Sequence, residues 1–152
     1  MHPWPWFVEE GPHLTVRDLN VFENSFAVLP HDYYDFLAET NGGLPDDEHR
    51  VHREGVLARF LSLKVAAGHP GDLMAWNERV QREFDAREVI AIAYDESGAT
   101  ILLVCDGPRR GQIWFQPATR PKLNLGRPWH ADARELADSF AEFMASLHAV
   151  SR

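Results

Sequence analysis

The sequence predicts an α+β domain in which helices pack around a mostly antiparallel sheet of about four or more strands. Residues 88–116 hold three apolar runs separated by short turns rich in Gly, Pro and Asp, which is typical of an antiparallel meander. Segments on either side of this meander carry apolar residues at helical spacing. Because the order is helices, strand, helix, meander, helix, the elements are arranged as in α+β domains.

Length, composition and charge bound the class of function. A chain of 152 residues predicts one domain over residues 1–152, and 45% hydrophobic content suffices for a core. The formal net charge of −8 opposes binding to nucleic acid or anionic membranes and favours a basic partner. The single cysteine excludes a disulfide framework, and we expect neither a leader peptide nor a membrane-spanning segment from the composition of the sequence. We therefore expect a cytoplasmic protein, and the sequence leaves its oligomeric state open.

The first predicted elements are an arm and a helix. Residues 1–14 are expected to form an irregular arm, because prolines alternate there with Trp4 and Trp6. Thr15 and Asp18 then have the spacing of a capping box. The apolar residues of the helix that follows are Val16, Leu19, Phe22 and Phe26.

A second helix is predicted to begin at Pro30, a residue suited to a first helical turn. Asn41-Gly42-Gly43 is predicted to end it, because glycine readily adopts the left-handed conformation of a C-cap. Pro45 prevents the helix from resuming. The acidic and basic segment after it, residues 46–55, is interpreted as a polar loop.

The rest of the chain alternates strands and helices. Residues 56–63 are predicted to form a strand, and Asp72 is predicted to cap a helix that runs to about Phe84. After the meander, Asp132 and Glu135 again have capping-box spacing. They predict a final helix whose apolar face holds Leu136, Phe140, Phe143, Met144 and Leu147.

No catalytic motif is recognisable. Cys105 ends an apolar run and is interpreted as a core residue, and the nucleophile-elbow, dinucleotide and phosphate-loop patterns are absent. His49 and His52 lie three residues apart beside acids, but their segment does not look helical, and we interpret both as solvated loop residues. The sequence therefore predicts a non-enzymatic protein with no cofactor and no metal. A metal-dependent hydrolase that uses these two histidines is kept as the alternative.

Two sets of residues are candidates for binding a protein partner. Acidic residues in predicted loops could steer a basic protein toward the chain, and these are Asp46, Asp47, Glu48, Asp95 and Glu96. Trp4 and Trp6 are of the residue type enriched at binding hot spots. The other interpretation of the two tryptophans, which we favour, is that the arm folds back and fills a groove in its own core.

Residues 18–45 resemble the N-terminal signature of the SUKH superfamily, a segment of type Leu-Pro-x-Asp-Tyr-x-x-Phe-Leu closed by Asn-Gly-Gly. The matching positions are Leu29, Pro30, Asp32, Tyr33, Phe36, Leu37, Asn41, Gly42 and Gly43. The turn with Asp95 and Gly98 is similar to the middle of the family's sequences, and residues 137–147 are similar to its closing helix. The resemblance covers most of residues 15–148.

This resemblance implies an α+β fold without a general catalytic constellation. In bacteria it implies mostly immunity proteins, which bind and neutralise polymorphic toxins, and in fungi it implies interaction hubs that regulate cell-wall synthesis. Our leading hypothesis is an immunity protein that binds a basic toxin directly. The alternative hypothesis, from a different functional class, is a housekeeping adaptor protein of the same fold. No binding residue is transferred by the motif, because members of the family bind through variable surfaces.

Overall fold

The computed structural model describes residues 4–84, 87–118 and 128–150. Within these ranges the chain folds into four α-helices and an eight-stranded antiparallel sheet, so the predicted α+β class is confirmed. The strands are β1 (Phe7–Glu10), β2 (Gly43–Pro45), β3 (Val51–His52), β4 (Gly55–Phe60), β5 (Val89–Asp95), β6 (Thr100–Val104), β7 (Ile113–Gln116) and β8 (Arg134–Ala137). The helices are α1 (Val16–Ser25), α2 (His31–Thr40), α3 (Leu73–Phe84) and α4 (Phe140–Ser146).

The sheet is a near-sequential meander with its two ends added from distant segments. Its order is β1-β2-β4-β5-β6-β7-β8, and β3 pairs only with β4. The predicted three-stranded meander of β5, β6 and β7 is confirmed, with Ala91 facing Leu102 and Leu102 facing Trp114. The strands β5 and β6 are buried along almost their whole length, as expected for strands that are covered on both faces.

Helices cover both faces of this sheet. Ala93 of β5 is paired with Phe60 of β4, and the Phe60 ring contacts Phe36 of α2 and Phe140 of α4. The next residue along β5 points to the opposite face, and there Tyr94 stacks on Trp76 of α3. The aromatic part of the core therefore lies between the sheet and the helices α2 and α4.

Local signals placed the first three helices correctly. Thr15 and Asp18 form the predicted capping box, since the Asp18 N–H donates to Thr15 Oγ1 at 3.2 Å and the Thr15 N–H donates to Asp18 Oδ2 at 2.8 Å. This bonding lowers the pKa of the Asp18 carboxyl. Asp72 caps α3 as predicted, because its Oδ1 accepts from the Met74 N–H at 3.0 Å.

The segment Asn41-Gly42-Gly43 ends α2 as predicted, but the residue that caps the helix is Asn41 and not a glycine. Asn41 itself takes the left-handed conformation, with φ of 51°. A side chain on Gly42 would collide with the carbonyl of Leu61, and one on Gly43 would collide with the carbonyl of Glu9. The two glycines thus allow three backbone segments to pack closely.

The prediction of a wholly irregular arm over residues 1–14 is wrong for its second half. Residues 7–10 form β1, which pairs with β2 at the edge of the sheet. The Gly11 N–H also donates to the Thr40 carbonyl at 3.0 Å. Its pairing partner β2 lies more than 30 residues further along the chain, so no local sequence pattern predicts this strand. Residues 1–3 lie outside the described ranges.

The final helix begins later than predicted. Residues 134–137 form β8 against β7, and a short 3₁₀ turn, Trp129–Asp132, precedes it. Ser139 is the actual N-cap of α4, because its hydroxyl accepts from the Glu142 N–H at 3.0 Å. The predicted capping role of Asp132 is therefore wrong.

Cys105 is a core residue, as predicted. Its side chain is buried after β6, and burial raises the pKa of its thiol to about 12. A thiol in this environment stays protonated and lacks the thiolate character that nucleophilic chemistry requires.

Candidate functional site

The acidic loop after β2 is organised by Asp46. Its Oδ1 lies 2.7 Å from Nδ1 of His49 and accepts from the Glu48 N–H at 3.1 Å. The Asp46 N–H donates to the Trp6 carbonyl at 3.0 Å. Because Asp46 is occupied with these contacts, the carboxylates offered to solvent by this loop are those of Asp47 and Glu48, which are both exposed.

The two tryptophans of the arm are half-buried against the chain itself. Trp4 packs edge-on against Phe36 at 5.1 Å between ring centroids, and Trp6 stacks on His49 at 4.2 Å. These contacts agree with the interpretation that the arm folds back onto its own core. A role for either tryptophan in partner binding remains a prediction.

Asp95 does not lie at the surface, so its place among the steering acids is wrong. It is 2% exposed. Its Oδ1 accepts from the N–H groups of Ser97 and Ala99 and from the Ser97 hydroxyl, which shapes the turn between β5 and β6. Its neighbour Glu96 is exposed, as predicted.

The prediction that residues 46–55 form a solvated loop is wrong for its second half. Val51 and His52 form β3, and the His52 side chain is 1% exposed. Its Nδ1 accepts from the Glu54 N–H at 3.1 Å, and its Nε2 lies 3.5 Å from Oδ2 of Asp95. Burial lowers the pKa of His52, so its imidazole is neutral and carries its proton on Nε2, facing the carboxylate.

His49 and His52 therefore make separate contacts, although they are close in sequence. His49 bonds to Asp46, whereas His52 faces Asp95 on another strand. Among the described residues, no group of three or more His, Cys, Asp and Glu side chains converges in a way that could hold a metal ion.

A second group of acids was missed by the sequence analysis. Glu135, Asp138 and Glu142 line a shallow depression together with Arg53. A side-chain hydrogen bond with Asp138 raises the pKa of Glu135, which indicates that the two carboxyl groups lie close together. Their spacing of three and four residues is the sequence signal that could have indicated this group.

The hairpin of β3 and β4 connects these acidic groups. Arg50, before β3, lies 3.4 Å from Oδ1 of Asp47, and Arg53, in the turn, donates to the carbonyls of Glu135 and Leu136 at 3.3 Å. The Glu96 N–H donates to the Val56 carbonyl of β4 at 2.8 Å. We call the acids around this hairpin the hairpin acidic surface, which consists of Asp47, Glu48, Glu96, Glu135, Asp138 and Glu142.

The arginines of this region neutralise only part of its charge. Arg50 pairs with Asp47, and Arg134 pairs with Glu54 at 3.0 Å. Arg53 is directed at main-chain carbonyls of β8. The six acids of the surface thus exceed the neighbouring cations, in keeping with the net charge of −8 for the chain.

The fold and these contacts define an α+β domain with an acidic surface around a short hairpin. Comparison with known families identifies it further: the chain belongs to the SMI1 / KNR4 family (SUKH-1), whose sequence model matches residues 13–146. The resemblance to the SUKH superfamily is therefore confirmed. No curated protein matches the chain. Family membership is consistent with an immunity protein and with a regulator.

In the described ranges, every helix is too short or too polar to cross a bilayer.

Proposed function

We propose that this protein is a non-enzymatic immunity protein that neutralises a basic toxin by direct, stoichiometric binding through the hairpin acidic surface. The observation that carries the proposal is the gathering of acids from three separate chain segments around the β3–β4 hairpin. Membership of the SUKH-1 family supports a binding role for the domain.

The electrostatic argument concerns the rate of association. Carboxylates clustered on one surface create a negative potential that extends about one Debye length, roughly 10 Å at ordinary salt. Such a field attracts a basic protein before contact and raises the association rate more than the affinity. The overall charge of −8 adds to this attraction.

The placement of the titratable residues also supports binding over catalysis. His52 and Asp95 are titratable residues of types used in general acid–base catalysis, yet the side chain of each is only 1% exposed. An acid or base that exchanges protons with a substrate needs to reach it within about 3 Å. Their contacts instead fix the hairpin to the β5–β6 turn, which holds the acidic surface in place.

The experiment that tests the proposal measures association with the product of a toxin gene adjacent to the gene of this chain. Reversing two exposed charges, Asp47→Lys with Glu48→Lys, is expected to slow association by about tenfold at low salt and to flatten its salt dependence. Asp46 is left unchanged, because it organises the loop.

The matched control carries the same change in net charge elsewhere. Glu78 in α3 and Asp106 after β6 are both exposed and lie outside the hairpin acidic surface. Glu78→Lys with Asp106→Lys is expected to alter the rate much less. Equal slowing by both double variants would show that only net charge matters, and an unchanged rate for the first would remove the patch from the mechanism.

The family assignment also supports the second candidate, a regulatory adaptor of the same fold. A growth assay of cells that express the adjacent toxin distinguishes the two functions. An immunity protein restores the growth of cells that express the adjacent toxin, whereas an adaptor binds its partner without protecting them. Metal analysis of the purified protein tests the hydrolase alternative, which requires a stoichiometric transition metal.

A further inference from the structure

A cavity of about 160 Å³ lies between α3 and the strands β6 and β7, on the face of the sheet opposite the aromatic core. Val80 and Leu102 form its apolar walls, and the exposed side chains of Arg79 and Glu83 stand at its opening. None of the acids of the hairpin acidic surface lines this cavity. It is therefore a separate feature from the surface to which the proposed function is assigned.

Gln116, the last residue of β7, is the polar group that distinguishes this cavity. It lines the cavity and is 1% exposed, yet within the described part of the chain neither its Nε2 nor its Oε1 has a hydrogen-bond partner. A buried amide without partners is costly and uncommon in folded proteins. Because no hydrogen bond from the described residues holds this amide and the terminal torsion of glutamine is soft, rotation about that torsion can present its donor and acceptor to the cavity.

The wall beside Gln116 is fixed in place. Tyr94 stacks on the ring of Trp76 at 5.3 Å between centroids, and the guanidinium of Arg79 lies 4.5 Å over the same ring. The indole N–H of Trp76 donates to the Pro70 carbonyl at 2.7 Å. Since the ring is engaged by these contacts, a ligand meets an apolar wall there, and stacking of a nucleobase on Trp76 is disfavoured.

The chemistry of Gln116 selects its ligand. A primary amide offers both donors and an acceptor, so a carboxylate would leave the acceptor unpaired and a guanidinium would leave the donors unpaired. A second carboxamide satisfies both through two antiparallel hydrogen bonds. One water needs only about 10–15 Å³ of cavity volume, so the cavity of about 160 Å³ has room for a larger group, such as an Asn or Gln side chain. We propose that this cavity binds a carboxamide group, supplied by a protein side chain or by a small free amide.

The test uses propionamide with the whole protein, and nuclear magnetic resonance of the Gln116 side-chain amide as the readout. Up to about 50 mM of probe is added, because a ligand of this size binds in the millimolar range. Propionamide is expected to shift the Gln116 amide and Trp76 indole resonances in a saturable way. Propionate and ethylguanidinium are expected to shift them at least tenfold less at equal concentration.

Two variants complete the test. Gln116→Met keeps the length of the side chain without its amide and is expected to abolish the shift that propionamide causes in the Trp76 indole resonance, which is the readout that this variant retains. Gln112→Met is the matched control, since Gln112 accepts from the Trp114 indole at 3.0 Å and does not line the cavity. It is expected to leave the response unchanged.

Two peptide-like probes distinguish the sources of the carboxamide. N-acetyl-glutamine methylamide imitates a residue in a protein, whereas free glutamine carries charged ends that can face Arg79 and Glu83. Binding of either, lost in Gln116→Met, supports the site, and the tighter probe identifies the source. The proposal is overturned if propionamide shifts neither resonance, as expected for a cavity that holds only water, or if the three small probes act alike. The experiment needs no toxin, so its failure leaves the proposed function standing.

Discussion

At the scale of single residues, buried amides decide how segments are joined. Asn41 ends α2 and also connects three parts of the chain. Its Nδ2 donates to the carbonyls of Pro12 and Leu63 at 2.9 and 2.8 Å, and its Oδ1 accepts from the Leu63 N–H at 2.8 Å. One side chain therefore ties the N-terminal arm and the segment after β4 to the end of a helix.

Replacing Asn41 separates its backbone role from its hydrogen bonds. Asn41→Gly retains the left-handed conformation but leaves the polar groups of Leu63 unpaired in the interior. We expect it to lower the free energy of unfolding by about 3 kcal/mol, measured by urea denaturation. Asn41→Ala adds the strain of a left-handed alanine, about 1 kcal/mol more. A loss well under 1 kcal/mol in Asn41→Gly would contradict this account.

Gln116 and Asn77 make a contrasting pair of buried amides. Asn77 donates to the carbonyls of Leu73 and Ala91 and accepts from the Ala91 N–H at 2.7 Å, whereas the side-chain amide of Gln116 makes no hydrogen bond among the described residues. Removal of an unpaired buried amide relieves a desolvation cost. Gln116→Met is thus expected to raise the free energy of unfolding by about 1 kcal/mol.

The control for this prediction is Asn77→Leu. Because it leaves both backbone groups of Ala91 without their partner, we expect a loss of about 3 kcal/mol. Thermal and urea denaturation of the two variants give the comparison. A loss in both would show that the Gln116 amide is satisfied in solution, by water or by a ligand that copurifies.

At the scale of elements, the start of α4 offers the sharpest test. Two acid-containing sequences have capping-box spacing, one beginning at Asp132 and one at Ser139. Only the second lies at the N-terminus of an α-helix. We expect Ser139→Ala to lower the free energy of unfolding by about 1 kcal/mol. Asp132→Ala is expected to cost less, and the opposite order would move the helix start to the earlier position.

Elements with strong local signals could be predicted from the sequence. The helices α1 and α3 each begin at a capping side chain followed by apolar residues at helical spacing, and the meander has short turns between apolar runs. These signals act within a few residues of each other. They determine the element whatever the distant parts of the chain do.

The strands β1, β3 and β8 could not be predicted in this way. β1 and β8 pair with segments that lie elsewhere in the chain, and β3, which forms a hairpin with β4, is only two residues long. In β8, Leu136 and Ala137 are buried against the sheet, but their spacing from Phe140 also suits one helical face. The apolar spacing of this short strand therefore cannot be told apart from that of the helix after it. Pairing with β7, which is distant in sequence, determines that these residues form a strand and not a helical turn.

The candidate site shows the same limit. Asp95 and Glu96 are adjacent acids with equal claims from sequence, yet one is buried and the other exposed. The difference arises because Asp95 faces His52, which is more than 40 residues away. The acidic loop of Asp47 and Glu48 was predictable from composition, whereas the contact of the β3–β4 hairpin with β8 required the fold.

At the scale of the whole molecule, the contact between His52 and Asp95 makes stability depend on pH. It fixes the β3–β4 hairpin to the end of β5, and Glu54 is the other charged group that acts on the imidazole. Phe115 and Phe143 pack beside the ring from β7 and α4. The pKa of His52 is lowered by burial, so the folded protein holds the neutral form.

The sign of the effect follows from proton linkage. Below the ordinary value of 6.5, the unfolded chain binds a proton at His52 that the folded chain does not bind. The stability from the neutral histidine is therefore complete above that pH and is lost as the pH falls toward the folded pKa. The slope due to this one group is at most about 1.4 kcal/mol per pH unit.

We expect His52→Gln to remove this slope in urea denaturation between pH 7 and 5.5. His148→Gln is the control, since His148 is exposed, and it is expected to leave the slope intact. If the variant at His52 and the natural protein lose stability in parallel over this range, another group is responsible for the acid sensitivity.

The burial of Cys105 has a consequence for how the molecule can be observed. The chain has one thiol, and it lies buried directly after β6 in its unreactive protonated form. Alkylating reagents therefore reach this thiol only when the sheet opens transiently around the end of β6. The rate at which Cys105 is alkylated therefore measures how often the sheet opens, and no dye or tag has to be introduced for this measurement.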